Sequence, residues 1–149
     1  GEAPVPVATA ADASCVDATP DGGVVWAAPK LLVVRAVDGS ELRAPLADVP
    51  TLDIAVSADG RLAAAAGLDG RVRVLDLQTG ALRAVLEGHE ERVAGVDWGP
   101  DGRLLSASWD GTARVWSLAS LDQPGAVLLA DAEAAWGITA ADAVAAGAP

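Results

Sequence analysis

The chain has 149 residues, 52% of them hydrophobic, and carries 21 acids against 10 bases for a formal net charge of −11. A field of that sign repels phosphate backbones and anionic lipid, so nucleic acid and membrane surfaces are excluded as expected partners. Its apolar runs fall well short of the about 18 residues a spanning helix needs, and a single cysteine, Cys15, leaves no intrachain disulfide to form.

In chain order, residues 1–7 read as linker or a partial strand. Short strands with two-residue alternation are then expected near 13–18, 24–28, 31–36 and 42–46, and again near 52–56, 62–66, 72–76 and 82–86. A third group is expected near 93–98, 103–108, 112–117 and 126–130, and two last strands near 135–140 and 143–147. Asp-Gly pairs such as Asp59-Gly60, Asp69-Gly70, Asp101-Gly102 and Asp110-Gly111 separate them, a strong hairpin signal because both residues tolerate positive φ. The class is therefore all-β. With no Phe, Tyr or Met, and with Ala supplying much of the apolar fraction, each unit buries little area and must lean on its neighbours.

The units repeat. Ala58-Asp59-Gly60-Arg61-Leu62 returns 42 residues on as Pro100-Asp101-Gly102-Arg103-Leu104, and Asp69-Gly70 returns 41 residues on as Asp110-Gly111. Leu42-Arg43-Ala44 parallels Leu82-Arg83-Ala84 at a shift of 40, and Trp136-Gly137-Ile138 lies 42 beyond Ala94-Gly95-Val96. Residues 8–46, 47–87 and 88–130 thus form three full repeats, and 131–149 about half of a fourth.

The stretch from Gly88-His89 to Trp116, with its Asp-Gly turns, resembles the WD40 repeat, the four-stranded antiparallel blade of a β-propeller. The resemblance implies a WD40-like β-propeller with an incomplete ring, because three and a half blades do not close one. Either the chain is a piece of a longer protein, or two copies form a homodimer that closes a seven-blade ring, with the segment around Val5-Pro6-Val7 completing the other copy's half-blade.

In that family a buried Trp, Ser or Thr, His and Asp network locks the loop between blades. The matching residues are His89, Ser106, Asp110 and Trp116. Blade two departs from the pattern with Ala47 for the His and Leu75 for the Trp, although Asp69 remains; blade one has Trp26 near the Ser position and Ala28-Pro29-Lys30 in place of the Asp turn. The Ser-His-Asp trio also has the residue types of a hydrolase triad, but no Gly-x-Ser-x-Gly elbow accompanies it.

The family's contact positions on the narrow face fall here on Arg92, Ala94 and Trp109, and on Pro50, Leu52 and Leu68 one blade earlier, with Trp136 one unit later. Arg and Trp are the residues most enriched in binding hot spots, so Arg92, Trp109, Trp136, Leu68 and Leu52 form the candidate partner-binding patch. Trp98 and Trp26 read instead as packing between blades, Cys15 as a core residue, and Glu87, Glu90 and Glu91 as a solvated loop able to orient Arg92.

These features imply a non-catalytic scaffold or sensor module that binds a protein or peptide, with no cofactor and no metal site, since one His and one Cys supply no metal-ligand spacing. An enzyme using the propeller channel is the lesser alternative. The Ala, Arg, Gly, Asp and Val bias points to a GC-rich bacterial source. The module is expected within a larger regulatory protein and, with no basic segment ahead of a hydrophobic stretch to read as a signal peptide, in the cytoplasm.

Overall fold

The computed structural model describes residues 12–119 and 121, together with the strand backbone at 127–128. The expected strands at 135–140 and 143–147, the 1–7 segment and Trp136 lie outside the described residues.

Three antiparallel sheets follow one another. The first holds β1 (Cys15–Ala18), β2 (Val24–Ala28), β3 (Leu31–Arg35) and β4 (Glu41–Pro45) in chain order. The second holds β5 (Thr51–Val56), β6 (Leu62–Gly67), β7 (Val72–Asp76) and β8 (Leu82–Leu86), and the third β9 (Val93–Trp98), β10 (Leu104–Ser108) and β11 (Ala113–Trp116). The inner strands β1, β5 and β9 pack against one another, so the sheets stand as successive blades of an incomplete ring.

One turn recurs between strands. Asp21, Asp38, Asp59, Asp69, Asp101 and Asp110 each accept the backbone N–H two residues on through Oδ1. The Gly between has φ of +71° to +94°, a region that costs an L side chain energy. Asp-Gly is therefore required by the turn, not merely frequent in it.

The fourth strand of the third blade is a correction. The expected 126–130 strand appears as β12 (Val127–Leu128), and it runs parallel to β8 on the second sheet instead of beside β11. Leu121, ahead of it in the chain, is buried in the core shared by the second and third sheets, and Arg83 Nη2 of β8 donates to its carbonyl at 3.0 Å. An apolar run signals a strand but does not name the edge it will join.

The core consists of the two interfaces between blades. Val25, Ala27, Leu32 and Ala44 meet Ile54, Ala63, Ala65 and Leu75 at one. Ala55, Ala64, Ala66, Val72, Val74 and Leu86 meet Val93, Val96, Leu104 and Trp116 at the other. The run Ala63-Ala64-Ala65-Ala66 in β6 is buried throughout and feeds both interfaces by strand alternation. Methyl groups there let two sheets close on a third. Trp98 packs as expected, donating Nε1–H to Ala55 O of the neighbouring blade at 2.9 Å. Among the described residues no helix is long and apolar enough to cross a membrane.

Candidate interaction face and its buried lock

The register sets which loops meet. Cys15 pairs with Ala27, Thr51 with Gly67 and Val93 with Ser108, so the segments leading into β1, β5 and β9 lie beside the β2–β3, β6–β7 and β10–β11 turns on one rim. In the third blade that rim is locked from beneath. Asp110 Oδ2 lies 2.9 Å from His89 Nδ1, Ser106 Oγ lies 2.8 Å from His89 Nε2, and Trp116 Nε1 donates to Ser106 Oγ at 2.8 Å. A carboxylate only accepts, so His89 carries its proton on Nδ1; the Ser106 hydroxyl then donates to Nε2 while accepting from the indole. With a neutral imidazole, each polar group of this four-residue network has its partner.

The side chains of His89 and Asp110 are 1% and 7% exposed. Burial pushes the His89 pKa below its ordinary value, against the opposing hydrogen bond and charge of Asp110. For Asp110 burial acts upward, but hydrogen bonds from Thr112, His89 and the Thr112 and Glu90 amides outweigh it, and the carboxyl is held well below the usual carboxylate range. Sequence reasoning missed Thr112, whose hydroxyl donates to Asp110 Oδ1 at 2.6 Å; its place two residues after an Asp-Gly turn was the available signal. Ser106 is buried and its oxygen accepts from Trp116, so the trio holds the loop and offers no accessible nucleophile.

The second blade replaces this lock with an ion pair. Where Ala47 and Leu75 leave no polar partner, Arg73 grips Asp69 through both Nη atoms at 2.6 and 3.2 Å. The pair neutralises a half-buried carboxylate whose pKa is lowered because the Arg73 hydrogen bond and charge overcome the effect of burial. In the first blade the Ala28-Pro29-Lys30 turn instead reaches the second by a Lys30–Asp48 pair at 2.9 Å.

Above the lock, Trp109 is 63% exposed, and the Arg92 guanidinium carbon lies 3.5 Å from its ring centroid. Trp109 N donates to Arg92 O at 3.0 Å, and Leu68 N to Pro50 O at the same distance, so Leu68 and Trp109 occupy equivalent rim positions on successive blades. Leu68 is 42% exposed; Leu52 is exposed in the bulge between Thr51 and Asp53, and Ala94 is exposed in β9. The structure thus brings Arg92 onto Trp109 and sets Leu68 and Leu52 on the adjoining blade. Glu87 does not orient Arg92; it pairs with Arg71 at 2.6 Å. Among the described residues no group of three or more His, Cys, Asp or Glu is placed to hold a metal ion.

Residues 42–76 and 80–117 match the family model described as WD domain, G-beta repeat. A periodic tryptophan protein 2 homolog of Neurospora crassa is 42% identical over 67 residues, 44% of this chain and 8% of that protein. A guanine nucleotide-binding protein subunit beta-5b of Danio rerio is 44% identical over 62 residues, 41% of this chain and 16% of that protein. The chain therefore spans only a small part of these relatives. They are eukaryotic, and they lend no support to the expected bacterial source. Among solved structures, the crystal structure of RRP9 WD40 repeats superposes with a TM-score of 0.65 at 25% identity, covering 73% of this chain and 36% of that one. Sequence match, strand order and the His89–Ser106–Asp110–Trp116 lock agree: residues 42–76 and 80–117 are WD40 repeats, carried on an incomplete WD40-type β-propeller.

Proposed function

We propose that this chain is a non-catalytic protein-interaction module, a scaffold or sensor within a larger regulatory protein, that takes a protein or peptide on the rim carrying Arg92, Trp109, Leu68 and Leu52. The observation that carries the reading is Trp109 held in solvent under the Arg92 guanidinium. An exposed indole with a fixed orientation offers a large contact area at little further cost in side-chain entropy, which is what an interaction hot spot requires. The WD40 repeats support it, since this architecture is generally a binding platform. The test is affinity capture from cell extract with the unchanged chain, Trp109→Ala, Leu68→Ser and a control, Leu82→Ser, at an exposed residue of β8. Specific partners should be lost with the first two variants and kept with the control; capture indifferent to Trp109 and Leu68 overturns the reading.

Assembly of two copies into a closed ring is a second reading, favoured by apolar side chains exposed on the first sheet. There Val16 and Val37, 64% and 69% exposed, line an open cleft of about 540 Å³ with Val24 and Trp26. Size exclusion with light scattering decides it: twice the chain mass supports the ring, and a folded monomer at micromolar concentration removes it.

A further inference from the structure

The interaction rim differs from the opposite rim in what its carboxylates do. On the opposite rim Asp21, Asp38, Asp59 and Asp76 are committed to their own turns. Asp21 accepts from Thr19 and Gly23, Asp38 from Ser40, Asp59 from Ser57 and Arg61, and Asp76 from Gln78 and Thr79. On the interaction rim the cations are the committed groups. Lys30 pairs with Asp48, Arg71 with Glu87 and Asp69, Arg73 with Asp69, and the Arg92 guanidinium lies on the Trp109 ring. The carboxylates of Glu90 and Glu91, both exposed, have no hydrogen-bond or ion-pair partner among the described residues.

The backbone that carries those two residues is held against the turn that carries Trp109. Glu90 N donates to Asp110 Oδ2 at 3.0 Å, and Ser108 Oγ donates to the carbonyls of Glu91 and Arg92, each at 3.0 Å. With His89 bound to Asp110 below, the loop from 89 to 92 and the turn from 108 to 112 form one rigid unit. Apolar area on Trp109 and Leu68 therefore sits next to unpaired negative charge, on a chain whose net charge is −11. An acidic segment would meet the two carboxylates against the single Arg92 guanidinium that no carboxylate holds, whereas a cationic one gains ion pairs with Glu90 and Glu91 and avoids like-charge repulsion.

We propose that this rim binds a basic, extended peptide segment of a partner protein, with apolar side chains on Trp109 and Leu68 and Lys or Arg side chains against Glu90 and Glu91. The proposal rests on the reading of this rim as an interaction surface, and adds the chemistry of the partner.

The test is selection from a random dodecapeptide display library on the full chain, with each enriched peptide then measured against Trp109→Ala and the double variant Glu90→Gln, Glu91→Gln. Far-ultraviolet circular dichroism checks that both variants keep the strand content of the parent. The expected result is that peptides requiring Trp109 carry net positive charge and lose about fivefold in affinity in the double variant, a size set by two exposed ion pairs. Their affinity should also fall as NaCl is raised from about 50 to about 500 mM. Peptides that require Trp109 but are neutral or acidic, or that ignore the double variant, overturn the basic-partner proposal while leaving the interaction surface standing. If no enriched peptide requires Trp109, the surface reading fails and the proposal fails with it.

Discussion

The Asp17 carboxylate of β1 accepts the backbone N–H of Val56 in β5 at 2.7 Å, one blade to the next. Asp53 of β5 does the same for Val96 in β9 at 3.0 Å. Alternate N–H groups of an inner strand point out of its own sheet, and without a partner they would be orphaned where blades meet. Each carboxylate therefore both satisfies a donor and sets the height of the next blade. Asp53→Ala and Asp17→Ala should each lower stability by about 1–3 kcal/mol, while Asn at either position, which keeps an accepting oxygen, costs less. Urea midpoints of the four variants check this; an Asp53→Ala midpoint equal to the parent's would show that the bond contributes nothing.

Ser106 carries two bonds of the buried lock, from Trp116 and to His89. Ser106→Ala removes both and leaves an indole N–H and an imidazole nitrogen unpaired inside the third blade. The expected loss is about 2–4 kcal/mol, above that of a surface serine. A double-mutant cycle with His89→Ala should show coupling of about 1–2 kcal/mol, since the groups act as a chain. Additive losses would mean that the bonds act independently.

Acid should open the same lock. The folded His89 pKa lies below its ordinary 6.5, so between the two values the unfolded chain binds more protons than the folded one. Stability is then fully present above 6.5 and falls as pH drops through that window. Asp110, held below its ordinary 3.8, acts in the same direction at lower pH: its contribution is present above 3.8 and is lost as pH falls toward its folded value. Denaturation midpoints measured from about pH 8 down to about pH 5 should decline in the parent and be flat over that upper window in His89→Gln. A parent midpoint that rises on acidification would contradict the burial-driven shift.

The repeat and the third-blade lock were legible because both are local patterns. Asp-Gly dictates a turn within four residues, and the recurrence of Asp59-Gly60 at Asp101-Gly102 fixes the blade length. His89, Ser106, Asp110 and Trp116 were legible by position within one repeat. The Asp17–Val56 and Asp53–Val96 bonds were not, because an aspartate in a strand carries no mark of the amide it will meet 39 or 43 residues later. Nor was the destination of β12, since Val127 and Leu128 suit either edge in composition, and the pairing with β8 and the Arg83–Leu121 bond are contacts made only in the folded chain. Arg73 on Asp69 belongs to the same class: it replaces a lost His and Trp by a different chemistry at the same place.

Two tryptophans of the third blade should respond in opposite ways. Trp116 is fully buried, bonded to Ser106 and edge-on to His89 with ring centroids 6.2 Å apart. Trp109 stands in solvent. Trp116→Ala should cost about 3–5 kcal/mol, whereas Trp109→Ala should change stability by no more than about 0.5 kcal/mol. Thermal unfolding of the two variants checks the contrast; a large loss at Trp109 would make that residue a fold element and weaken its assignment to a partner.

The alanine run of β6 makes the closest demand on the packing between blades. Ala65 is 2% exposed and belongs to the same buried cluster as Leu75, Leu32 and Val25, between the first two blades. Ala107 of β10 is also an alanine in a strand, but it is exposed. Ala65→Leu adds volume where two sheets already touch, so the sheets must part or the new side chain must leave its rotamer, at about 1–3 kcal/mol. Ala107→Leu makes the same chemical change at an exposed position, and should stay within about 0.5 kcal/mol of the parent. Comparing the two by urea unfolding separates crowding from the intrinsic strand preference of leucine, which is common to both. If Ala65→Leu is tolerated as well as Ala107→Leu, the sheets are not in close contact, and the alanines of β6 are a matter of composition and not of fit.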